Sequence, residues 1–473
     1  MNYASVLHKE PVFDLLARAV KEQGVEAYVI GGYVRDLILD RPCKDIDVVC
    51  VGSGIDLANK VATLVGPEVH VTTFKTFGTA MLKYGDWEVE FVGARKESYN
   101  RDSRKPVVED GTLEDDQQRR DFTINALALS LNDKNFGDLV DPFGGVEDLK
   151  KKIIRTPLDP DTTFSDDPLR IMRAIRFATQ LQFDIAPDTF DSISRNKERL
   201  DIVSMERVTT ELNKIILAKQ PSYGFKLLYH AGILQLIFPE LCALQGVESI
   251  DNKSHKDNFY HTLQVLDNIT KETDDLWVRW AAILHDIAKP ATKRFHPKIG
   301  WTFHGHEEKG ARMVPNIFRR MKLPQNEHMR KVQSLVRLHL RPISLVKDEV
   351  TDSAVRRLLV DASDDFEDLM RLCRADITSK NNNKVQRYLE NFKKVEARVV
   401  DLEARDSLRQ FQPVVTGEDI MKVFNLEPGK IVGEIKSILR EAILEGEIPN
   451  DFEPCYAFVI EVGEKKYGLK KNV

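Results

Sequence analysis

Asp45 and Asp47, two residues apart in a chain of 473, are the side chains best spaced for metal-assisted chemistry. On a strand both carboxylates leave one face while Ile46 and Val48 pack behind them. Hard carboxylate oxygens at that spacing suit Mg²⁺ bridging the phosphates of a nucleotide. Just upstream, Gly31 and Gly32 lack the Cβ atoms that would keep backbone N–H groups from an anion, and the helix start beyond them, with Arg35, adds positive potential. Together they suggest a triphosphate cradle. Arg119, Arg120, Asp121 and Asn125 form a second polar cluster, in which guanidiniums can clamp phosphates and a fixed carboxylate can accept a hydrogen bond from a ribose hydroxyl. A third set comprises His261, His285, Asp286, His306, His339 and Asp376. Neutral imidazoles with carboxylates suit a divalent transition metal that activates water, and His285 with Asp286 offers two ligands from one turn. His304 is an alternative to its neighbour His306.

These residues need elements to hold them. Val25 to Ile30 reads as a strand, Val34 to Leu39 as one or two helical turns, and Asp45 to Val51 as the returning strand. Residues 5 to 23 carry helical periodicity, Ile55 to Leu64 reads as a helix, and Val69 to Phe74, Gly78 to Tyr84 and Trp87 to Val92 as strands. Residues 96 to 118 are polar and without period, which predicts a mobile or functional loop. Ser165 to Leu181 reads as one helix, capped by Ser165 or Asp166 with Pro168 in its first turn. Ile171, Met172, Ile175 and Ala178 form its buried stripe, and Arg170, Arg173 and Arg176 recur on another face. From Leu181 to Glu248 the pattern is helical; Glu206, Arg207, Glu211 and Lys214 fit a structural ion-pair network there. Residues 386 to 410 predict a charged helix, and Thr416 to Glu445 two helices about a turn at Pro428-Gly429, with Thr416 and Asp419 as a capping pair.

Gly-Gly-Tyr-Val-Arg-Asp followed by Asp45 and Asp47 resembles the nucleotidyltransferase superfamily of DNA polymerase beta, and specifically its class II branch of tRNA nucleotidyltransferases and bacterial poly(A) polymerases. Arg119 to Leu127 is similar to the second motif of that family, residues 138 to 149 to the third, and Asp166-Asp167-Pro-Leu-Arg170 to the base-reading motif, with Asp166 where Glu is commoner. The resemblance implies Arg120 and Asn125 near the phosphates, Asp121 at the ribose 2′-OH, Asp167 and Arg170 reading the incoming base with Arg173 beside them, and Glu90 as a third catalytic carboxylate. Glu88 has the same strand parity as Glu90 and is an alternative. The turn at Gly144-Gly145 reads as a hinge. The order of the histidines and aspartates from His261 to Asp376 resembles the HD superfamily of metal-dependent phosphohydrolases.

Composition sets outer bounds. With 42% hydrophobic and 30% charged residues the chain has material for two to four domains, and a net charge of −5 means any nucleic-acid surface is local. Five scattered cysteines, never in Cys-x-x-Cys spacing, argue against a disulfide framework and for a reducing, cytoplasmic setting. No run is apolar enough for a signal or a membrane span. The expected fold is α+β: a small mixed-sheet nucleotidyltransferase head (1–155), an all-α neck (156–248), an HD domain (249–385) and a helical tail (386–473). The implied function is template-independent addition of CCA to tRNA from CTP and ATP, with Mg²⁺ as cofactor and pyrophosphate released. A poly(A) polymerase is the nearest alternative, but its proteobacterial members typically have paired basic residues where this chain has Gly32-Tyr33. Another is an HD phosphohydrolase with an RNA-binding N-terminal domain, for which the paired carboxylates would serve no purpose.

Overall fold

Alternating apolar and polar residues in the first 140 positions build a seven-stranded mixed sheet in the order β3-β4-β5-β2-β1-β8-β9. The strands are β1 (Ala27–Ile30), β2 (Asp45–Cys50), β3 (Thr72–Phe74), β4 (Thr79–Tyr84), β5 (Trp87–Gly93), β8 (Ala128–Ser130) and β9 (Leu139–Val140); β6 (Arg95–Asn100) and β7 (Ser103–Asp110) pair separately. This computed structural model describes residues 1–75, 78–100, 103–250, 253–254, 256–345, 351–379, 381–406 and 412–472; residues 98–100, 103–107, 253–254 and 404–406 are described by backbone alone. Two compact units divide the chain, Met1–Cys242 and Ala243–Val473.

In the first unit β2 is central, parallel to β5 and antiparallel to β1. Val29, Val48, Val89 and Phe91 are fully buried, and each such side chain contributes on the order of 1.5–3 kcal/mol. Residues 5 to 23 form two helices rather than one, α1 (Ala4–Leu7) and α2 (Pro11–Gln23). Pro11 lacks an N–H and leaves Glu10 extended, at φ −113° and ψ 111°. The turn after β1 leads into α3 (Gly32–Ile38), and α4 (Gly54–Val65) packs on β4 and β5.

The loop expected over residues 96 to 118 is instead the β6–β7 hairpin followed by α5 (Leu113–Gln118). Thr112 and Asp115 form a capping box on α5. A ribbon with charged residues on both faces has no apolar period to read. Residues 101 and 102 of that stretch lie outside the described residues. Asp141 accepts from Gly145 N at 2.7 Å and Val146 N at 3.0 Å, capping α6 (Gly145–Lys151). A Cβ on Gly145 would stand 2.4 Å from Thr123 O, so this turn braces the neighbouring 123–125 turn.

The helix expected from Ser165 is also two, α7 (Pro160–Asp166) and α8 (Leu169–Leu181). Asp167 precedes Pro168 and is pushed to φ −133°, ψ 95°, so neither Ser165 nor Asp166 caps α8. Asp184–Ile185 pairs with Ile153–Ile154, one short ladder in the region expected to be all helical.

The second unit is mainly helical, with two-stranded ribbons such as Arg294–His296 with Gly300–Thr302. The charged helix runs Asn382–Asp406; residues 407 to 410 of its expected span lie outside the described residues. Thr416 and Asp419 form the expected capping box on Gly417–Phe424, followed by Lys430–Glu445 and a third helix not anticipated, Phe452–Tyr467.

Candidate active site and metal centre

In the β2–β5 ladder Asp45 stands opposite Glu88 and Asp47 opposite Glu90. All four acids line a cavity of about 690 Å³ together with Gly31, Gly32, Arg35, Arg120, Asp121, Asn125 and Arg173. The register thus pairs Glu90 with Asp47, while Glu88 lies 3.7 Å from Lys83 across the β4–β5 ladder. Burial raises the carboxyl of Asp47, and although Arg120 opposes this, Asp45 and Asp116 raise it further. Burial and Asp47 likewise raise Glu90. Asp47 and Glu90, raised by burial and by neighbouring acids, form with Asp45 a donor set suited to a hard cation, which would relieve that repulsion.

Gly31 is required twice over. Its φ is +84°, and a Cβ there would meet Arg120 Nη1 at 3.0 Å and Asp47 Oδ2 at 3.4 Å. Gly31→Ala should therefore cost about 1 kcal/mol in backbone strain and at least tenfold in nucleotide incorporation, read by pairing a thermal melt with an addition assay. A variant with the lowered melting point and wild-type incorporation would mean the turn only folds the chain.

Arg35 donates to Asp36 at 2.9 and 2.8 Å and through Nη1 to Asn125 Oδ1 at 2.9 Å. Asn125 Nδ2 donates on to Asp121 Oδ1 at 3.0 Å, and that oxygen also accepts from Phe122 N at 2.9 Å. Asp121 Oδ2 takes Arg173 Nε at 2.7 Å and Nη2 at 2.6 Å. Four donors fill the four acceptor directions of this carboxylate. Asp121 is 7% exposed, and although burial works against it, Arg173 and Asn125 hold its pKa below the usual range. In this structure the carboxylate expected at a ribose 2′-OH fixes Arg173.

Two other expected residues stand outside the cavity. Arg170 Nη2 donates to Arg119 O at 2.6 Å and lines a neighbouring cleft of about 130 Å³ with Glu97, Arg119 and Asp166. Asp167 Oδ1 accepts from Leu169 N at 3.2 Å. Sequence reasoning missed Asp116, which is fully buried and pairs with Arg119 and, at 3.1 Å, with Arg120 Nε. Its i,i+3 and i,i+4 spacing to the two arginines was the available signal, obscured by reading 96 to 118 as a loop. Phe177 and Lys214 also line the cavity. Glu211, in the helix Met205–Ile216, pairs with Arg176 at 2.5 Å and Lys214 at 3.4 Å; of the network expected among Glu206, Arg207, Glu211 and Lys214, the Glu211–Lys214 pair forms.

In the second unit helix ends deliver the metal-ligand candidates. His285 and Asp286 follow the apolar helix Leu276–Leu284, His306 opens His306–Arg320, His339 follows Glu327–Leu338, and Asp376 follows Phe366–Ala375. His261 lies within Asn258–Ile269. Asp286 is shared: Oδ2 lies 3.5 Å from His261 Nε2 and 3.1 Å from His285 Nε2, and Oδ1 3.2 Å from His306 Nε2 and 3.9 Å from His339 Nε2. Asp376 Oδ1 lies 3.0 Å from His261 Nε2. His304 is exposed, which decides for His306.

Nδ1–H of His285, His306 and His339 donates to the carbonyls of Ala282, Phe303 and Val336 at 2.8, 2.7 and 2.7 Å. A carbonyl only accepts, so each Nδ1 keeps its proton and Nε2 is left as the ring atom turned inward. Those three Nε2 atoms are buried without a hydrogen-bond partner. Burial opposes charge on His285, yet Asp286 and Asp376 lift it to about 10, whereas burial and His285 press His339 down to about 4. A site where carboxylates demand a cation and three imidazoles turn buried Nε2 atoms toward them fits a divalent metal, which would take the place of the proton on His285.

Known families match three segments of the chain. Residues 27–155 match the Poly A polymerase head domain, 182–244 the probable RNA and SrmB-binding site of polymerase A, and 258–379 the HD domain. The A-adding tRNA nucleotidyltransferase of Deinococcus radiodurans is 33% identical over 75% of this chain and 81% of its own. The multifunctional CCA protein of Stenotrophomonas maltophilia is 35% identical over 71% of this chain and 80% of its own. The fold matches the CTP complex of the Bacillus stearothermophilus CCA-adding enzyme with a TM-score of 0.66, at 23% identity over 97% of this chain and 98% of that one. No helix among the described residues is long and apolar enough to cross a membrane. With its paired carboxylates, its arginine-lined cavity and an HD module in the second unit, the chain belongs to the class II tRNA nucleotidyltransferases, the family of A-adding and CCA-adding enzymes.

Proposed function

We propose that this protein completes the 3′ CCA end of tRNA from CTP and ATP, releasing pyrophosphate and using no nucleic-acid template. The observation that carries the reading is the meeting of Asp45, Asp47 and Glu90 with Arg35, Arg120 and Arg173 in one cavity. Asp45 and Asp47, with Glu90, would hold Mg²⁺, which when bound lowers the charge on the triphosphate and the reacting 3′-oxygen. Gly31 and Gly32 open the approach, and Arg35, Arg120, Arg173 and Asn125 bind and orient the phosphates.

Base choice falls to Asp167 and Arg170. Cytosine and adenine each offer an amino donor beside a ring acceptor, which a carboxylate and a guanidinium together complement; uracil and guanine present a carbonyl where Asp167 needs a donor. A matched pair discriminates by about 1–3 kcal/mol, roughly five- to a hundredfold. Asp167→Ala should lower CTP and ATP use and relax rejection of UTP and GTP, measured as kcat/KM for all four nucleotides on tRNA ending at the discriminator base and at CC. Wild-type preference in folded Asp167→Ala and Arg170→Ala would move base selection elsewhere.

A second reading, addition of A alone, is favoured by the name of the Deinococcus radiodurans relative. Incubation with tRNA lacking CCA, or ending in C or CC, with each nucleotide singly separates the two: incorporation of C supports CCA addition, and A only onto CC supports the alternative. Unlimited A addition would instead indicate a poly(A) polymerase. The parts divide as head 1–155, neck 156–248, HD domain 249–385 and tail 386–473, working in the cytoplasm, where the five free cysteines suit reducing conditions. His261, His285, Asp286, His306, His339 and Asp376 would hold a divalent transition metal for phosphodiester or phosphomonoester hydrolysis.

A further inference from the structure

Three guanidinium groups converge on one aromatic ring in the candidate active site. The Cζ atoms of Arg176, Arg35 and Arg173 lie 3.9, 5.1 and 5.5 Å from the centroid of Phe177. Phe177 is 8% exposed and lines the cavity that holds Asp45 and Asp47. Its ring meets Phe122 edge-on at 5.8 Å and 79°. The participants come from three segments: Arg35 from α3, Phe122 from the stretch before the 123–125 turn, and the rest from α8.

A hydrogen-bonded chain already joins the two outer guanidiniums, from Arg35 through Asn125 and Asp121 to Arg173. Phe177 closes that chain into a circuit, because both its ends lie within cation–π range of the same ring. Asp36, Asp121 and Glu211 each hold one guanidinium from the side. Asp36 and Asp121 hold Arg35 and Arg173 through two nitrogens each, in the guanidinium plane; the quadrupole of a common ring adds a contact outside those in-plane bonds and offsets the mutual repulsion of three cations. Apolar packing against Phe122 would need a side chain of this size but no ring face.

We propose that Phe177 is a positioning residue for the nucleotide triphosphate, keeping Arg35, Arg173 and Arg176 as a preformed clamp. The inference rests on the transferase reading above and adds a residue to it. A clamp on phosphates contacts every nucleotide alike, so loss of the ring should affect binding of CTP and ATP equally and leave base choice alone.

The test compares wild type, Phe177→Leu, Phe177→Met and Phe177→Tyr in steady-state addition with CTP and with ATP, and in inhibition by inorganic pyrophosphate with Mg²⁺. The leucine and methionine variants keep an apolar side chain without a ring. Each should raise KM for both nucleotides about tenfold and weaken pyrophosphate inhibition by a similar factor, with kcat, KM for tRNA and the CTP-to-ATP ratio near wild type. Phe177→Tyr should restore both constants. Wild-type pyrophosphate inhibition in either folded ring-less variant, or no restoration by tyrosine, reduces Phe177 to core packing. Failure of the wild type itself to incorporate CTP or ATP overturns the transferase reading instead.

Discussion

Asp45→Asn and Asp47→Asn each reduce nucleotide addition by at least about a thousandfold, since each removes one charge and one ligand from the metal pair and the loss is worth several kcal/mol in the transition state. Folding should not suffer. Asp45 is exposed and Asp47 partly so, on the strand face opposite buried Ile46 and Val48. Burial and Asp45 raise the Asp47 carboxyl, so its ionised form is disfavoured in the folded state, with Arg120 the opposing influence. An acid whose folded pKa is raised binds its proton more tightly when folded, and its ionisation detracts from stability as pH climbs above the unfolded value. Asn carries no such penalty, so near neutral pH Asp47→Asn should melt at or above the wild-type temperature. Thermal melts, tRNA binding by filter retention and single-turnover addition separate these effects. Retained addition with Mg²⁺ by both variants would remove the carboxylates from the chemistry, and a large drop in melting temperature would make them structural.

The second large effect is loss of metal from the second unit. In His285→Ala/Asp286→Ala the imidazole whose Nε2 faces Asp286 disappears together with the carboxylate shared by both ligand groups, His261–His285–Asp286 and Asp286–His306–His339. Elemental analysis should find stoichiometric divalent metal in the wild type and none at this centre in the variant, with any phosphodiesterase or phosphatase activity gone. Nucleotide addition should persist, because Asp45 and Asp47 lie in Met1–Cys242 whereas this centre lies in Ala243–Val473. Ligand held a hundredfold above its Kd stabilises the folded state by about 2.7 kcal/mol, so a chelator should lower the melting temperature of the wild type and leave that of the variant unmoved. Equal metal in the two proteins, or loss of addition by a folded variant, contradicts this assignment.

Local spacing alone determined a good deal about this protein. Asp45 and Asp47 had to share a strand face, because side chains alternate with period two, and Gly31 had to be glycine where the chain turns under an anion site. The candidate ligand residues His261 to Asp376 were legible as residue types in order, and the parity of Glu90 placed it among two candidates. Only the sheet register put Glu90 opposite Asp47, because parallel pairing of β2 with β5 joins strands some forty residues apart and no local pattern encodes that alignment. The hairpin at 95–110 escaped notice for a related reason: antiparallel pairing joins its strands, and the polar stretch shows no apolar period in the sequence. Asp121, Arg173 and Phe177 show the same limit from the side of the site. The residue types announced an anion clamp, but which acceptor directions were already filled, and which ring three guanidiniums share, depended on side chains brought from distant segments to within hydrogen-bonding or cation–π range. Spacing sets which residues a single element can present on one face; which face meets which is set by long-range packing, and that decision belongs to the tertiary structure.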